Sequence, residues 1–348
     1  MRSVTRKLAT TSMVAVAGLA AVLSGMGTAS ADPGTTPAAT DIVAMGSDTI
    51  QSFDNGLSAA YNATSPTSNF YSWDATGSSP LVPKTGGNQI ARANGSSSGI
   101  TALNSTTNAT LDIARSSRPP QPGNTDWFIP FATDAVGWAA ATGGNAPTNL
   151  SSADLQGIYN CSITSWSQIT DVSGYTGPNT TIQAFVPQNG SGTRAFFLSA
   201  LGIAASSEPC WQSVTPEENE GTDPAFQNNP DAIFPYSLAH YVGQVYDNRG
   251  GGSDLPGYLD ANRSIDGVNQ IDTTKDVFNS ALPLAYSRQV YHVVRQSDWS
   301  DPTEGPRLKA LLGRAAAGGW LCANGSTLIS SYGFQPLGAA CGTLQPGV

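Results

Sequence analysis

Residues 182–201 read IQAFVPQNGSGTRAFFLSAL, and this stretch decides the fold. Its first five residues predict a strand, the polar turn 188–193 follows, and apolar residues at helical spacing then predict a helix that Gly202 ends. Because the turn opens a helix, several of its backbone N–H groups have no partner inside that helix. Those donors, the hydroxyls of Ser191 and Thr193, and the helix dipole suit a small anion. An ordinary helix cap without a ligand is the alternative for a single turn of this kind.

Three further polar turns repeat this arrangement along the chain. GSDT at 46–49 follows the strand-like run 41–45, GSSSG occupies 95–99, and RSSR at 115–118 follows the strand-like run 111–114. Strands that alternate with helices predict an α/β fold with mainly parallel sheets. The carboxyl ends of parallel strands share one edge of a sheet. We therefore expect the four turns to border one pocket.

The first 31 residues predict a secretory signal peptide. Basic residues precede the apolar run 13–23, and the small residues 29–31 provide a cleavage site after Ala31. The apolar run is about half as long as a membrane-spanning helix, so we expect no membrane insertion. Met26 stands where a lipid-anchored protein would carry a cysteine. We therefore expect a secreted protein, extracellular or associated with the cell wall, that begins with a flexible lead-in at 32–40.

Length and charge narrow the class of protein. After cleavage about 317 residues remain, which exceeds one ordinary core and suggests two lobes or one large α/β domain. Loss of the three cations of the signal peptide lowers the net charge from −9 to −12. Such a surface argues against nucleic-acid and anionic-membrane partners. We expect a monomer without a cofactor, and no metal site, because His240 and His292 are far from any cysteine in the sequence.

The four cysteines favour disulfides over thiol chemistry in a chain bound for an oxidising compartment. Cys161, Cys210, Cys322 and Cys341 allow three pairings. We favour Cys161 with Cys210 and Cys322 with Cys341, because each bond then joins residues of one region of the sequence. The second bond would close a loop of about 20 residues and contribute roughly 3 kcal/mol of stability.

The polar turns and three other segments resemble the phosphate-binding proteins of ABC importers, the PstS family. The motifs that carry the resemblance are GSDT (46–49), GSSSG (95–99), DIARSSRP (112–119), LSSADL (150–155), NGSGTR (189–194), PDAI (230–233) and YGFQPL (332–337). The resemblance implies a two-lobed type II periplasmic-binding-protein fold that closes on its ligand like a hinge. The implied ligand is phosphate or a related oxyanion, and the implied partner is an ABC permease. Lobe one would comprise 41–132 and 284–348, and lobe two 133–283, with crossings near 128–133 and 282–285.

Carried over position by position, the resemblance also implies the ligand contacts. They are Thr49, Ile50, Ser96, Ser117, Ser191, Gly192 and Thr193. The candidate set further includes Ser97 and Asn189, and the arginines Arg115, Arg118 and Arg194 as replacements for a missing cation. A guanidinium offers paired donors to a tetrahedral anion, although a surface or interlobe salt bridge is the alternative for each arginine.

Three positions depart from the pattern of the family. Pro187 stands where the phosphate binders have an arginine, and Asn189 where they have an aspartate. Ser117 stands where they have the aspartate that accepts the proton of hydrogen phosphate. That carboxylate repels a fully ionised ligand such as sulfate, whereas serine does not. We therefore predict weaker discrimination between phosphate and sulfate.

Two other functions compete with oxyanion capture. Residues 95–99 formally match the G-x-S-x-G elbow of hydrolases, with Ser97 as nucleophile and His240 or His292 as base. The preceding residues 89–94 are not the apolar strand that such an elbow needs, so we expect no enzyme. The stronger rival is a cell-surface interaction or adhesion protein that keeps the fold without transport. The missing lipid anchor and the altered turn residues favour it.

Overall fold

The computed structural model describes residues 32–204 and 210–347. The predicted signal peptide and its cleavage site lie outside the described residues. The strands are β1 (Ile42–Gly46), β2 (Phe70–Ser72), β3 (Ile113–Ser116), β4 (Trp127–Ala141), β5 (Asn149–Leu150), β6 (Gln183–Ala184), β7 (Ala232–Ser237), β8 (Leu259–Asp260), β9 (Ser264–Ile265), β10 (Val268–Asn269), β11 (Ile271–Asp272), β12 (Val277–Phe278), β13 (Ser287–Val294), β14 (Gln335–Pro336) and β15 (Gln345–Pro346). The helices are α1 (Gln51–Asn62), α2 (Ser96–Asn104), α3 (Ser152–Tyr159), α4 (Gly192–Ala200), α5 (Leu238–Val245), α6 (Gln296–Ser300), α7 (Glu304–Leu312), α8 (Trp320–Asn324) and α9 (Ser326–Ser330). Within these two ranges, every helix is too short or too polar to cross a membrane.

The segment 182–201 folds as its sequence predicts. Strand β6 leads into the polar turn, and Ser191 caps α4 by accepting a hydrogen bond from the Arg194 backbone N–H at 3.0 Å. Gly202 follows the last turn of α4 with φ +68°, a left-handed conformation that glycine adopts without strain. The prediction of strand, turn and helix is therefore confirmed.

One sheet runs through the molecule in the order β2-β1-β3-β13-β4-β7-β6. Strand β1 is parallel to β2 and β3, and β6 is parallel to β7. Strand β13 is antiparallel to β3 and β4, and β4 is antiparallel to β7. The α/β fold class is confirmed, but the expectation of mainly parallel pairing is wrong for the middle of the sheet. The reason is that β4 leaves the first half of the sheet and β13 returns to it, so these neighbours run in opposite directions.

Strand β4 belongs to both halves of the sheet. Its residues 127–135 pair with β13, whereas residues 136–141 pair with β7 and β8. Nearly all of its residues are buried, as expected for a strand covered on both faces. The sequence-predicted crossing near 128–133 falls within this strand, and the predicted lobe bounds stay a prediction.

Two disulfides join neighbouring parts of the chain. Cys161 is bonded to Cys210, and Cys322 is bonded to Cys341. The pairing favoured from the sequence is confirmed. The second bond lies near β14 and β15, which pair with the first part of β4.

Candidate oxyanion site

The first polar turn leads from β1 towards α1 and is held in place by Arg115. The Arg115 Nε donates to the Ser47 carbonyl at 2.9 Å, and its Nη1 donates to the Ser72 hydroxyl at 2.6 Å. The guanidinium is completely buried. Arg115 therefore supports the backbone of the turn, and its side chain is not available as the cation that the sequence suggested.

The second and third turns meet the first through their serine hydroxyls. Ser96 begins α2, and Ser117 follows β3. The Ser96 Oγ accepts a hydrogen bond from the Ser117 backbone N–H at 3.0 Å, and the Ser47 Oγ lies 2.9 Å from the Ser117 Oγ. All three serines are buried. Three turns that are far apart in sequence thus present their hydroxyls at one place.

The fourth turn, 188–193, closes over the other three. The Thr193 Oγ1 lies 3.0 Å from the Thr49 Oγ1. A Cβ added at Gly192 would lie 2.3 Å from the Ser96 Oγ and 2.4 Å from the Ser117 Oγ, which is closer than real Cβ atoms approach. Glycine therefore permits this contact between the turns. The four turns therefore meet at one place, and that they border a ligand pocket stays a prediction.

A carboxylate of the chain itself lies where the four turns meet. Glu218 is completely buried. Among the residues that the structure describes, five donors reach its carboxylate. Oε1 accepts from the Ser47 hydroxyl (3.3 Å), the Asp48 N–H (3.1 Å) and the Thr49 N–H (3.3 Å), and Oε2 accepts from the Ser191 hydroxyl (2.5 Å) and the Thr193 N–H (3.2 Å). These are the donors that a small oxyanion requires. The turns form a cluster of donors, and the Glu218 carboxylate occupies it.

Neutral dipoles, rather than a salt bridge, hold the Glu218 carboxylate. Over residues 32–204 and 210–347, the ion pairs do not include Glu218. The first turn of α4 and the segment that enters α1 supply backbone N–H groups at the positive ends of two helix dipoles. An anion can therefore be buried here without a basic surface around it.

A buried ion pair lies directly behind Thr193. Arg288 on β13 and Asp134 on β4 are cross-strand partners, and their side chains approach to 2.7 Å. The Arg288 Nη2 also donates to the Thr193 Oγ1 at 3.0 Å, whereas its Nη1 has no hydrogen-bond partner in the described part of the chain. Arg288 thus places a cation one hydroxyl away from the oxyanion site.

A second group of charges lies behind the first turn. The His240 Nδ1 is 2.9 Å from the Thr49 carbonyl oxygen, and its Nε2 is 2.5 Å from an Asp254 carboxylate oxygen. Burial opposes the charge of this imidazole, but chiefly Asp254, together with Asp48 and the Thr49 carbonyl, raises the pKa of His240 to about 10. His240 is therefore a cation at neutral pH. Burial first, and then Asp254 and Glu218, raise the pKa of Asp48 well above its usual value.

A family profile described as the PBP superfamily domain matches residues 31–296, which is most of the chain. The chain belongs to this family. A search of curated protein sequences finds no match. The two halves of the sheet, joined through β4 and β13, agree with the two-lobed fold of a PBP superfamily domain.

Solved structures of low sequence identity share the fold of this PBP superfamily domain. One, from Clostridium perfringens, is assigned as a phosphate ABC transporter substrate-binding protein with bound phosphate; it is 16% identical, and the match covers 85% of this chain and 99% of that chain with a TM-score of 0.56. An ABC-type phosphate transport receptor from Vibrio cholerae is 19% identical over 85% and 99% of the two chains, with a TM-score of 0.54. A phosphate-binding protein from Stenotrophomonas maltophilia is 15% identical over 86% and 92%, with a TM-score of 0.52. The two-lobed fold predicted from the sequence is confirmed.

Most of the sequence-predicted contacts of this PBP superfamily domain lie together. Those that donate to the Glu218 carboxylate are Thr49, Ser191 and Thr193. Those that pack beside these donors are Ser96, Ser117 and Gly192. Ile50 is completely buried at the start of α1. That these residues contact a ligand stays a prediction.

The other candidates lie away from the Glu218 carboxylate. The Arg118 Nε donates to the Ser97 Oγ at 3.2 Å, and the Arg194 Nη1 donates to the Pro187 carbonyl at 3.1 Å. Asn189 is exposed. Each helical residue is rotated by about 100° from the one before it, so the Arg194 side chain leaves the side of α4 on which Thr193 lies. Both arginines are engaged in these contacts, and that either of them contacts a ligand stays a prediction.

Sequence reasoning missed Glu218 and Arg288. Glu218 stands in the run Glu217-Glu218-Asn219-Glu220, which is typical of a solvated acidic loop. The signal for Arg288 was Asp134, the one charged residue of strand β4, because a buried carboxylate needs a partner. Nothing in the sequence indicated which cation that partner would be.

The two histidines are engaged away from Ser97. His240 contacts Thr49 and Asp254, and the His292 Nε2 lies 2.9 Å from an Asp54 carboxylate oxygen. His292 lies in β13, as its alternating sequence predicts. The formal G-x-S-x-G match at 95–99 therefore does not bring either histidine to its serine.

Proposed function

We propose that this chain is a secreted, monomeric solute-binding protein that captures a small oxyanion, phosphate, between two lobes and delivers it to an ABC permease. The observation that carries the proposal is the convergence of neutral donors from distant turns on one buried carboxylate. A carboxylate and a phosphate present the same kind of charged acceptor oxygen. A site that binds the first has the donors for the second.

Phosphate is supported by the local electrostatics and by the similar structures. The predicted mature chain is strongly acidic, so its overall field would not attract an anion, and local donors must do so. The Clostridium perfringens chain of the same fold was solved with bound phosphate. Contacts such as Thr49 with Thr193, and Asn94 with Gln188 at 2.8 Å, would join the proposed lobes in the closed state.

The first test is to obstruct the site at Gly192. In Gly192→Ala, the added methyl group would push the fourth turn away from Ser96 and Ser117, so we expect phosphate affinity to fall at least tenfold. Gly34→Ala is the matched control, because no atom lies within 4 Å of its added Cβ. Titration calorimetry in a buffer free of oxyanions measures both variants. Equal phosphate affinity in wild type and Gly192→Ala would place the ligand elsewhere.

The same titration with sulfate tests the ligand class. Since Ser117 offers no carboxylate to repel sulfate, we expect sulfate to bind within about tenfold of phosphate. Ser117→Asp should restore a preference for phosphate. Binding of phosphate but not of sulfate by the wild type would refute the predicted weak discrimination. If neither the wild type nor a variant that lacks the Glu218 carboxylate binds phosphate or sulfate, oxyanion capture is refuted.

A cell-surface interaction protein that keeps the fold without transport is the second candidate. The specific observation in its favour is that Glu218 already satisfies the donors of the site. A chain that has given up its ligand could fill the site in this way. Tight retention of a small anion by the purified protein, measured by native mass spectrometry, would argue against this candidate.

A further inference from the structure

We propose that Glu218 is an internal competitor for the oxyanion site, so that an external anion binds only when it displaces the Glu218 carboxylate. The proposal rests on the proposed function, because it concerns the regulation of the same site. Glu218 then acts as a ligand tethered to the chain. Its competition sets the affinity of the protein for an external anion and the lowest anion concentration at which the protein responds.

The first argument is that Glu218 and the expected ligand need the same donors. Three of the residues that the resemblance to phosphate-binding proteins implies as ligand contacts, Thr49, Ser191 and Thr193, donate to the Glu218 carboxylate. Each backbone N–H is a single donor, so it cannot be shared fully with a second anion. A bound phosphate and the present position of Glu218 therefore exclude each other.

The second argument is charge. Glu218 is completely buried, and a second anion beside it would bring two like charges together in a region without bulk water. The Asp48 carboxyl lies close enough for Glu218 to raise its pKa, so it adds no compensation. A dianionic ligand thus gains from the departure of Glu218, beyond the donors that it recovers.

The third argument is that hydrogen bonds fix the backbone around Glu218. The Glu218 backbone N–H donates to the Gln188 side chain at 2.9 Å, and the Gln188 backbone N–H donates to the Pro216 carbonyl at 3.0 Å. The next residue, Asn219, has φ +66°, a left-handed conformation that asparagine tolerates. Its side-chain oxygen accepts from the Ser237 N–H at 3.1 Å. The backbone on both sides of Glu218 is therefore fixed, which presents the carboxylate to the site.

The experiment compares Glu218→Ala with Glu217→Ala. The control removes a carboxylate from the adjacent residue, where it contacts Asn94 at 2.8 Å and none of the five donors. Titration calorimetry with inorganic phosphate should show at least tenfold tighter binding to Glu218→Ala than to wild type, and unchanged binding to Glu217→Ala. Equal affinities in all three proteins would overturn the proposal. Weaker binding to Glu218→Ala would also overturn it, since Glu218 would then help to hold the ligand.

Sodium formate separates this proposal from the choice of phosphate as ligand. Formate replaces the lost carboxylate, so it should raise the Tm of Glu218→Ala in a concentration-dependent way and leave the wild type and Glu217→Ala unchanged. If formate stabilises Glu218→Ala while phosphate binds neither protein, the competitor stands and the phosphate function fails. If neither formate nor phosphate acts on Glu218→Ala, the proposal is overturned. Glu218→Gln, which keeps the size of the side chain, repeats the measurements should the alanine variant fold poorly.

Discussion

Two buried carboxylates of this molecule are held in opposite ways. Asp112 and Glu218 are both completely buried. Asp112 is bound by a cation, because the Lys84 Nζ lies 2.8 and 2.7 Å from its two oxygens, with the Val43 N–H as a further donor at 2.8 Å. Within the described ranges, Glu218 is bound only by hydroxyls and backbone N–H groups.

The difference distinguishes a structural carboxylate from one in an exchangeable position. Burial raises the pKa of Asp112 and lowers that of Lys84, and their mutual attraction opposes both shifts. Removing either member leaves a buried charge without a partner. Neutral donors, in contrast, accept any oxyanion of suitable size, and they remain compatible with water when the anion leaves. Of the two sites, the one around Glu218 is therefore the one in which a ligand can replace the carboxylate.

The largest expected effect comes from breaking the ion pair. Lys84→Met should lower the free energy of unfolding by about 3–5 kcal/mol, because Asp112 would remain buried without its cation. Urea unfolding measures the loss. Lys275→Met is the control, since its pair with Asp272 is exposed and should matter little. Phosphate affinity should not change in Lys84→Met. A large loss of phosphate affinity without a loss of stability would show that Asp112 is not a purely structural carboxylate.

A smaller effect is expected from His240, the cation behind the first turn. The pKa of His240 is raised from 6.5 to about 10, so the stability it contributes is complete below pH 6.5 and is lost as the pH rises towards 10. His240→Gln should abolish this decline. Urea unfolding at pH 7, 8, 9 and 10 measures the slope. Gln244→Ala, which removes an uncharged contact to Asp254, should keep the wild-type slope. Parallel curves for His240→Gln and wild type would refute the assignment.

The smallest effect concerns Asp48. Its Oδ2 is buried without a hydrogen-bond partner among the described residues, and its pKa is raised above 3.8 by burial and then by Asp254 and Glu218. Stability is therefore lost as the pH rises through this raised pKa, and Asp48→Asn should gain about 1 kcal/mol above it. Above this pKa, the phosphate affinity of Asp48→Asn should also be severalfold higher than that of the wild type, because the variant lacks the negative charge of Asp48. Unfolding and titration as a function of pH test this, with exposed Asp276→Asn as control. A gain that is equal at every pH would contradict the electrostatic cause.

The sequence predicts what depends on local chemistry. Ser191 caps α4 and Gly202 ends it, because a cap and a left-handed turn involve only a few neighbouring residues. The meeting of four such turns followed from one further rule, that strand ends share an edge of a sheet. These parts of the fold and of the site could be read from the residues themselves.

The remainder depends on contacts between distant segments. Glu218 reaches Thr49 across 169 positions, and Arg288 reaches Asp134 across 154. No local periodicity encodes such pairs, and an acidic loop is typically solvated. The antiparallel pairing in the middle of the sheet was not predicted for the same reason, because the direction of β13 follows from the path of the whole chain. Position within the tertiary structure decided these features.

Strand β4 has a consequence for the order of folding. Along its first part, Thr133 pairs with Gln335, and Phe128 pairs with Gln345. Closing such long loops costs entropy before any contact repays it, so these pairings form slowly. Until they form, one edge of the strand exposes unpaired N–H and C=O groups, which can template association with another chain. The centre of the sheet is therefore completed late, and its open edge is the place where aggregation of a partly folded chain would begin.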